Sequence, residues 1–112
     1  MSLTLVTYEQ AKAHLNLEDD YAQADVEQKI ATATARVLSH IGRLDNAWTV
    51  DTDPTADAEF AIVLGAILWY TGELWRFRGD DAEEKPETPE QSAYLRAGLR
   101  RLLHPLRRPS FA

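Results

Sequence analysis

The chain contains no cysteine among its 112 residues. Disulfide bonds and metal sites built on thiolates are therefore excluded, whereas the redox state of its compartment is left open. Residues 1–6 carry no basic side chain and only a brief apolar run, so we expect no secretory signal peptide. A single domain of this length buries roughly two-thirds of its unfolded surface, which allows a modest core without covalent staples.

Long hydrophobic runs are also lacking. The longest one lies between Glu59 and Glu73, which leaves only 13 residues between the two charges. A helix that spans a bilayer needs about 20 apolar residues. We therefore expect no membrane segment and interpret this run as a buried central helix.

Acidic residues are absent from the last part of the chain. Residues 1–95 contain 18 acidic and 7 basic side chains, a net charge of -11, whereas residues 96–112 carry +5. The acidic body argues against nonspecific wrapping of nucleic acid, which needs cationic side chains against phosphate. Proline disfavours helix at the residue before it, so the last helix should stop near His104 and leave an extended arm suited to docking. The positive charges are Arg96, Arg100, Arg101, Arg107 and Arg108.

The pattern of apolar residues predicts an all-α protein of about four helices. Spacings of three and four recur along the chain, and no stretch alternates strictly as a strand would. The third helix is apolar nearly all round in its middle, so we expect the others to pack around it. The expected helices cover approximately residues 8–15, 21–41, 54–77 and 89–103. We expect residues 1–104 to form one helical domain and residues 105–112 to form the arm.

Local signals mark where these helices begin and end. Threonine followed three residues later by glutamine is a capping box, in which each side chain bonds the other residue's backbone N–H. Aspartate followed by proline is typical of a helix start, and glycine after an apolar stripe is typical of a helix end. The signals are Thr7–Gln10, Thr88–Gln91, Asp53–Pro54 and Gly42.

One stretch has the alternating oxygen-bearing residues that begin a calcium loop. It comprises Asp51, Asp53, Thr55 and Asp57. A calcium loop also needs glycine at its sixth position and glutamate at its twelfth, where this chain has Ala56 and Ile62. The sequence therefore favours a capped helix start over a cation site.

Other chemistry-bearing residues do not form a recognisable constellation. His14, His40 and His104 are far apart, and no serine lies in a nucleophile-elbow context. We predict no catalytic residue, no metal, no cofactor and no enzymatic activity. Glu73, inside the apolar helix, is either a buried acid or the partner of Arg76 or Arg36, and we favour the ion pair.

Aromatic residues concentrate on the third helix. They are Trp69, Tyr70, Trp75 and Phe77. They could fill the core of the subunit, or they could form a contact between subunits, where aromatic residues and arginine are enriched. The sequence leaves both interpretations open, with Trp69, Trp75 and Phe77 as the candidate interface residues.

The order of these parts resembles the head–tail connector (adaptor) proteins of tailed bacteriophages. Residues 6–15, VTYEQAKAHL, look like the family's opening V-T-x-x-x-A-K-x-H-L. Residues 102–107, LLHPLR, look like its ending L-L-x-P-L-R. In one departure, Thr71-Gly72-Glu73 stands where relatives often carry an asparagine-arginine-glutamate-like run, so the glutamate is kept and the arginine is not.

This resemblance implies a structural role in the virion. Subunits would form a ring, commonly of twelve, beneath the portal, and the ring would carry the next head-completion or tail protein. DNA would pass through without specific binding, and the protein would occupy the host cytoplasm during assembly and the head–tail interface afterwards. The alternative is a small helical regulatory or nucleic-acid-binding protein that uses the C-terminal arginines. The residues expected to dock on the portal or a subunit are Leu103, Pro105, Leu106, Arg107, Arg108 and Pro109.

Overall fold

Four helices follow one another in a computed structural model of the chain. The model describes residues 5–17, 23–42, 48–49, 51–77 and 88–104. The helices are α1 (Tyr8–Leu15), α2 (Gln23–Ile41), α3 (Ala58–Phe77) and α4 (Pro89–Leu103). This confirms the all-α fold, and the bounds of α1 and α4 are those predicted. The expected start of the second helix at residue 21 and the arm at 105–112 lie outside the described residues.

Helix α3 is the centre of the fold. It packs against each of the other three helices, most extensively against α2. Its buried side chains include Phe60, Val63, Ile67 and Tyr70, each at most 1% exposed. The predicted apolar face of α2 is also buried, because every third or fourth residue of that helix points at α3 and its neighbours. That face consists of Val26, Ile30, Ala33, Val37 and Ile41.

Both predicted capping boxes are present. The Thr7 hydroxyl accepts from the Gln10 N–H at 3.2 Å, and the Gln10 side chain accepts from the Thr7 N–H at 2.8 Å. The same reciprocal pair joins Thr88 and Gln91, at 3.1 and 3.0 Å. These bonds satisfy backbone donors that have no partner inside a helix, so α1 and α4 begin where the sequence predicts.

The predicted start of the third helix at Pro54 is wrong. The Asp53 carboxylate instead accepts from the N–H and the hydroxyl of Thr55, at 2.9 and 2.7 Å, and closes a turn. Asp57 is the residue that caps α3, because its Oδ1 accepts from the Phe60 N–H at 3.1 Å. Its Oδ2 accepts from the indole N–H of Trp48 at 3.0 Å. The tie to Trp48 fixes Asp57 as the cap, so the helix begins four residues later than expected.

Two helices end on residues with positive φ. Gly42 follows α2 with φ of 72°, as the sequence predicts, and Asn16 follows α1 with φ of 59°. Both values lie in the left-handed region that glycine and asparagine tolerate best. Within the described ranges, none of the helices is long and apolar enough to cross a membrane.

Candidate interaction surfaces

The contact between α3 and α4 is built on a ring placed over a glycine. The Trp69 indole lies directly over Gly98, where an added Cβ would be 2.0 Å from the ring atom Cη2. A methyl group therefore cannot fit without movement, and glycine is what lets α4 approach this closely. Leu95, Leu99 and Leu103 bury the adjoining face of α4 in the core.

Tyr94 is the centre of an aromatic cluster on the outside of this contact. Its ring lies 5.9 Å from that of Trp69 and 6.1 Å from that of Phe77, centroid to centroid. These separations are those of favourable offset or edge-on aromatic pairs. Tyr94 remains 43% exposed and is the most exposed large apolar side chain among the described residues.

A charged pair borders the same cluster. The Tyr94 hydroxyl donates to Glu73 Oε1 at 3.2 Å. Glu73 Oε2 forms an ion pair with Arg76 at 2.5 Å. The favoured pairing of Glu73 with Arg76 is therefore observed, while Arg36 lies 3.5 Å from the Tyr70 hydroxyl. The Arg76 guanidinium also lies over the rings of Phe77 and Tyr94, at 5.7 and 5.9 Å from their centroids.

The structure brings together two of the three candidate subunit-interface residues. Trp69 and Phe77 both contact Tyr94 and are half-buried. Trp75 is also half-buried and packs against the core. The patch that α3 and α4 form together is hereafter called the aromatic patch, and it consists of Trp69, Phe77 and Tyr94.

Of the six residues predicted to dock on the portal or a subunit, the structure describes only Leu103. Leu103 is the last residue of α4 and is fully buried, so its side chain belongs to the core of the subunit rather than to an exposed arm. The other residues predicted to dock lie beyond Leu103 and outside the described part. The three arginines of α4, in contrast, are all exposed: Arg96, Arg100 and Arg101.

No group of side chains suited to a metal ion is found in the described ranges. No three histidine, aspartate or glutamate side chains there are grouped so as to hold a metal ion. In the stretch that begins like a calcium loop, two of the aspartates bond the local backbone: Asp53 closes a turn and Asp57 caps α3.

Sequence reasoning missed two of the residues that organise the aromatic patch. Two glycines of α3 are not points of steric conflict, and a Cβ at Gly65 would meet nothing within 4 Å. At Gly72 the nearest atom would be His14 Nε2 at 3.4 Å, an ordinary contact. Gly98 is the position of real steric conflict. Its spacing of four from Tyr94 places both residues on one side of α4, and this was the available signal.

Comparison with known proteins identifies no relative. No family model matches the chain, and neither the curated proteins nor the solved structures include a significant match. The resemblance to phage connector proteins therefore depends on the residues quoted above.

Proposed function

We propose that this protein is a head–tail connector of a tailed bacteriophage, which forms a ring beneath the portal and extends the DNA channel. The observation that carries the proposal is the paired resemblance of residues 6–15 and 102–107 to the two ends of that family. The four-helix fold is compatible with it, because residues 6–15 contain the whole of α1 and residues 102–103 are the end of α4.

Four of the six residues that match the family's opening have a structural role in this chain. Val6 and Ala11 are buried at 2% and 0% exposure, and Thr7 caps α1. Leu15 packs against the core from the end of the same helix. The opening is thus a folding unit of the connector domain, which explains why these residue types occur at this spacing.

The charge distribution suits a channel component. The acidic body repels phosphate, so a channel wall made from it would let DNA pass without adhering. A ring also needs two different surfaces on each subunit, because a head-to-tail contact joins unlike patches. The aromatic patch and the C-terminal arm are two such surfaces. The partners of this proposal are further copies of the chain, the portal and the next protein of the stack, in the virion and in the host cytoplasm before assembly.

The decisive experiment co-expresses the full chain with the portal protein encoded in the same genome. We expect electron microscopy to show a second ring stacked on the portal. Reversal of the arm charges, Arg107→Glu with Arg108→Glu, should abolish that ring while the circular dichroism spectrum stays helical. A chain that stays monomeric at all concentrations and does not bind the portal would overturn the proposal.

The nucleic-acid-binding alternative has one observation in its favour, the exposed arginines of α4. Arg96 and Arg100 lie one turn apart on its surface, and phosphate binding by such a row weakens steeply as salt rises. A gel shift at two salt concentrations tests it with a matched pair of variants. For a phosphate-binding protein, Arg96→Glu with Arg100→Glu should weaken DNA binding as much as the arm reversal does. For a connector, neither variant has DNA binding to lose.

A further inference from the structure

We propose that the aromatic patch of one subunit binds residues 105–109, Pro-Leu-Arg-Arg-Pro, of a second copy of the chain. This inference deepens the proposed function and rests on it, since it names the surface by which one subunit would hold the next. It starts from an exposed aromatic cluster on a helix pair and from a proline-and-arginine segment in the same sequence.

The patch already accommodates a guanidinium. Arg76 lies over the rings of Phe77 and Tyr94, within the distance at which a cation is attracted to an aromatic face. Tyr94 is 43% exposed, so part of its ring is open to a further partner. The patch therefore has the chemistry to receive both a guanidinium and an apolar ring.

Acidic side chains flank the exposed ring. Glu73 is only 15% exposed and accepts the Tyr94 hydroxyl hydrogen bond. Glu90 is exposed and lies four residues before Tyr94, one turn away on the same side of α4. Glu73 is already paired with Arg76, so Glu90 is the exposed carboxylate near Tyr94 that a cationic segment could pair with.

Residues 105–109 have the complementary composition. Prolines at both ends favour an extended conformation, and aromatic grooves recognise such proline-containing segments. Between them, Leu106 adds apolar surface, and Arg107 and Arg108 supply planar cations that stack on aromatic rings and pair with carboxylates. Residues 96–112 contain no acidic side chain that would repel the carboxylates beside the patch.

The geometry of α4 favours a second copy over the same chain. Tyr94 lies near the start of α4 and His104 follows its end, so about 15 Å of helix axis separates them. A fully extended chain advances about 3.5 Å per residue, so Arg108 reaches at most about 14 Å from His104 even if the chain reverses at once. Helical side chains also point toward the N-terminus, which moves the Tyr94 ring farther away. An arginine side chain extends that reach, and Trp69 of the patch lies over Gly98, closer to His104 than Tyr94 is. The same chain could nevertheless bring an arginine onto Tyr94 only if it reversed at once and ran fully extended, a constraint that a second copy does not have.

A contact of this kind is directional. The donor surface is the arm and the acceptor surface is the patch, so each subunit keeps one of each after a pair has formed. Such a heterologous contact produces a ring if the rotation between subunits closes and a filament if it does not.

A labelled peptide with the sequence of residues 104–112 tests the contact directly. The acceptor is the full chain carrying Arg107→Glu and Arg108→Glu, so that its own arm does not compete. We expect the fluorescence anisotropy of the peptide to rise on titration and the affinity to fall with salt. Addition of Tyr94→Ala to the acceptor should weaken binding by about tenfold or more, as for an aromatic hot spot.

A matched pair of charge variants guards against loss of folding. Glu90 and Glu9 are both exposed first-turn acids that follow a capping threonine by two residues, in α4 and α1 respectively. Reversal to lysine removes a similar favourable interaction with the helix dipole in each case. Glu90→Lys should weaken peptide binding several-fold, and Glu9→Lys should leave it unchanged.

The outcomes separate this inference from the proposed function. It is overturned if the peptide does not bind, if Tyr94→Ala and Glu90→Lys both leave its affinity unchanged, or if a monomeric wild-type chain excludes the peptide by filling its own patch. A chain that stacks on the portal but fails the peptide test keeps its proposed function and loses this contact. A chain that binds the peptide but ignores the portal keeps the contact as self-association only.

Discussion

At each end of α3 a carboxylate accepts a hydrogen bond from an aromatic side chain. Asp57 accepts from the Trp48 indole at the N-terminal end, and Glu73 accepts from the Tyr94 hydroxyl toward the C-terminal end. The residues of the first pair are nine positions apart in sequence, and one of them, Asp57, also caps the helix. The second is 21 residues apart and joins two helices. One end is therefore organised by the local chain and the other by the approach of α4.

The difference predicts how each end fails when it is altered. At the local end, loss of a bond should fray the first turn of α3 and the turn before it. At the α4 end, where Trp69 rests on Gly98, a change should separate two helices and disturb the core between them. The larger effects are thus expected at the C-terminal end.

Substitution Gly98→Ala should have the largest effect. The new methyl group would lie 2.0 Å from the Trp69 ring, and overpacking of this kind lowers the free energy of unfolding by about 1–3 kcal/mol. Thermal or urea denaturation monitored by circular dichroism measures it.

Gly65→Ala in α3 is the matched control, because its methyl group would meet no atom within 4 Å. It should stabilise the protein by about 0.5–1 kcal/mol through helix propensity alone. The same sign of change at both glycines would contradict the packing argument.

Asp57→Ala should have the next largest effect, at the local end. It removes the cap of α3 and the acceptor for Trp48, which should lower the free energy of unfolding by about 1–2 kcal/mol. Asp53→Ala is the comparison, and it should be the milder change because Asp53 only closes the preceding turn. Urea denaturation of the two variants decides which aspartate caps the helix. If Asp53→Ala lost more unfolding free energy than Asp57→Ala, Asp53 would be the cap and the helix would begin at Pro54.

Those two tests also show what can be predicted from this sequence. Helices α1 and α4 begin at threonine–glutamine boxes, whose bonds form entirely within four residues, so local pattern sufficed. The apolar stripe of α2 was predictable for a similar reason, since burial follows helical spacing.

The start of α3 and the aromatic patch depended on information that local pattern does not contain. Three aspartates could cap α3, and the choice of Asp57 is made by Trp48, which lies outside the four helices. Gly98 carries no side chain, so the residue itself gives no sequence signal that the Trp69 ring covers it. Its importance emerges only when α3 and α4 are placed together.

Tyr94→Phe should have a smaller effect, confined to the polar edge of the aromatic patch. The ring contacts with Trp69 and Phe77 are kept, while the hydrogen bond to Glu73 is lost. The expected loss of unfolding free energy is about 0.5–1.5 kcal/mol, the usual net value of one such bond. A double-mutant cycle with Glu73→Ala, which removes the acceptor, checks it, because partners in one bond should give non-additive losses. Strictly additive losses would show that the bond does not contribute.

Asp53 gives the smallest and most local effect, and pH reveals it. Two hydrogen bonds lower the pKa of Asp53 below its ordinary value of 3.8. The Thr55 hydroxyl has the larger effect and the Thr55 N–H the smaller one. The folded carboxyl therefore binds its proton less tightly than the unfolded one, so its contribution to stability is fully present above the ordinary value. It is lost as the pH falls through the lowered folded pKa. Asp53→Asn should be less stable than the wild type near neutral pH and should converge with it in acid. Urea midpoints measured across this range would contradict the assignment if the difference between the two proteins stayed constant.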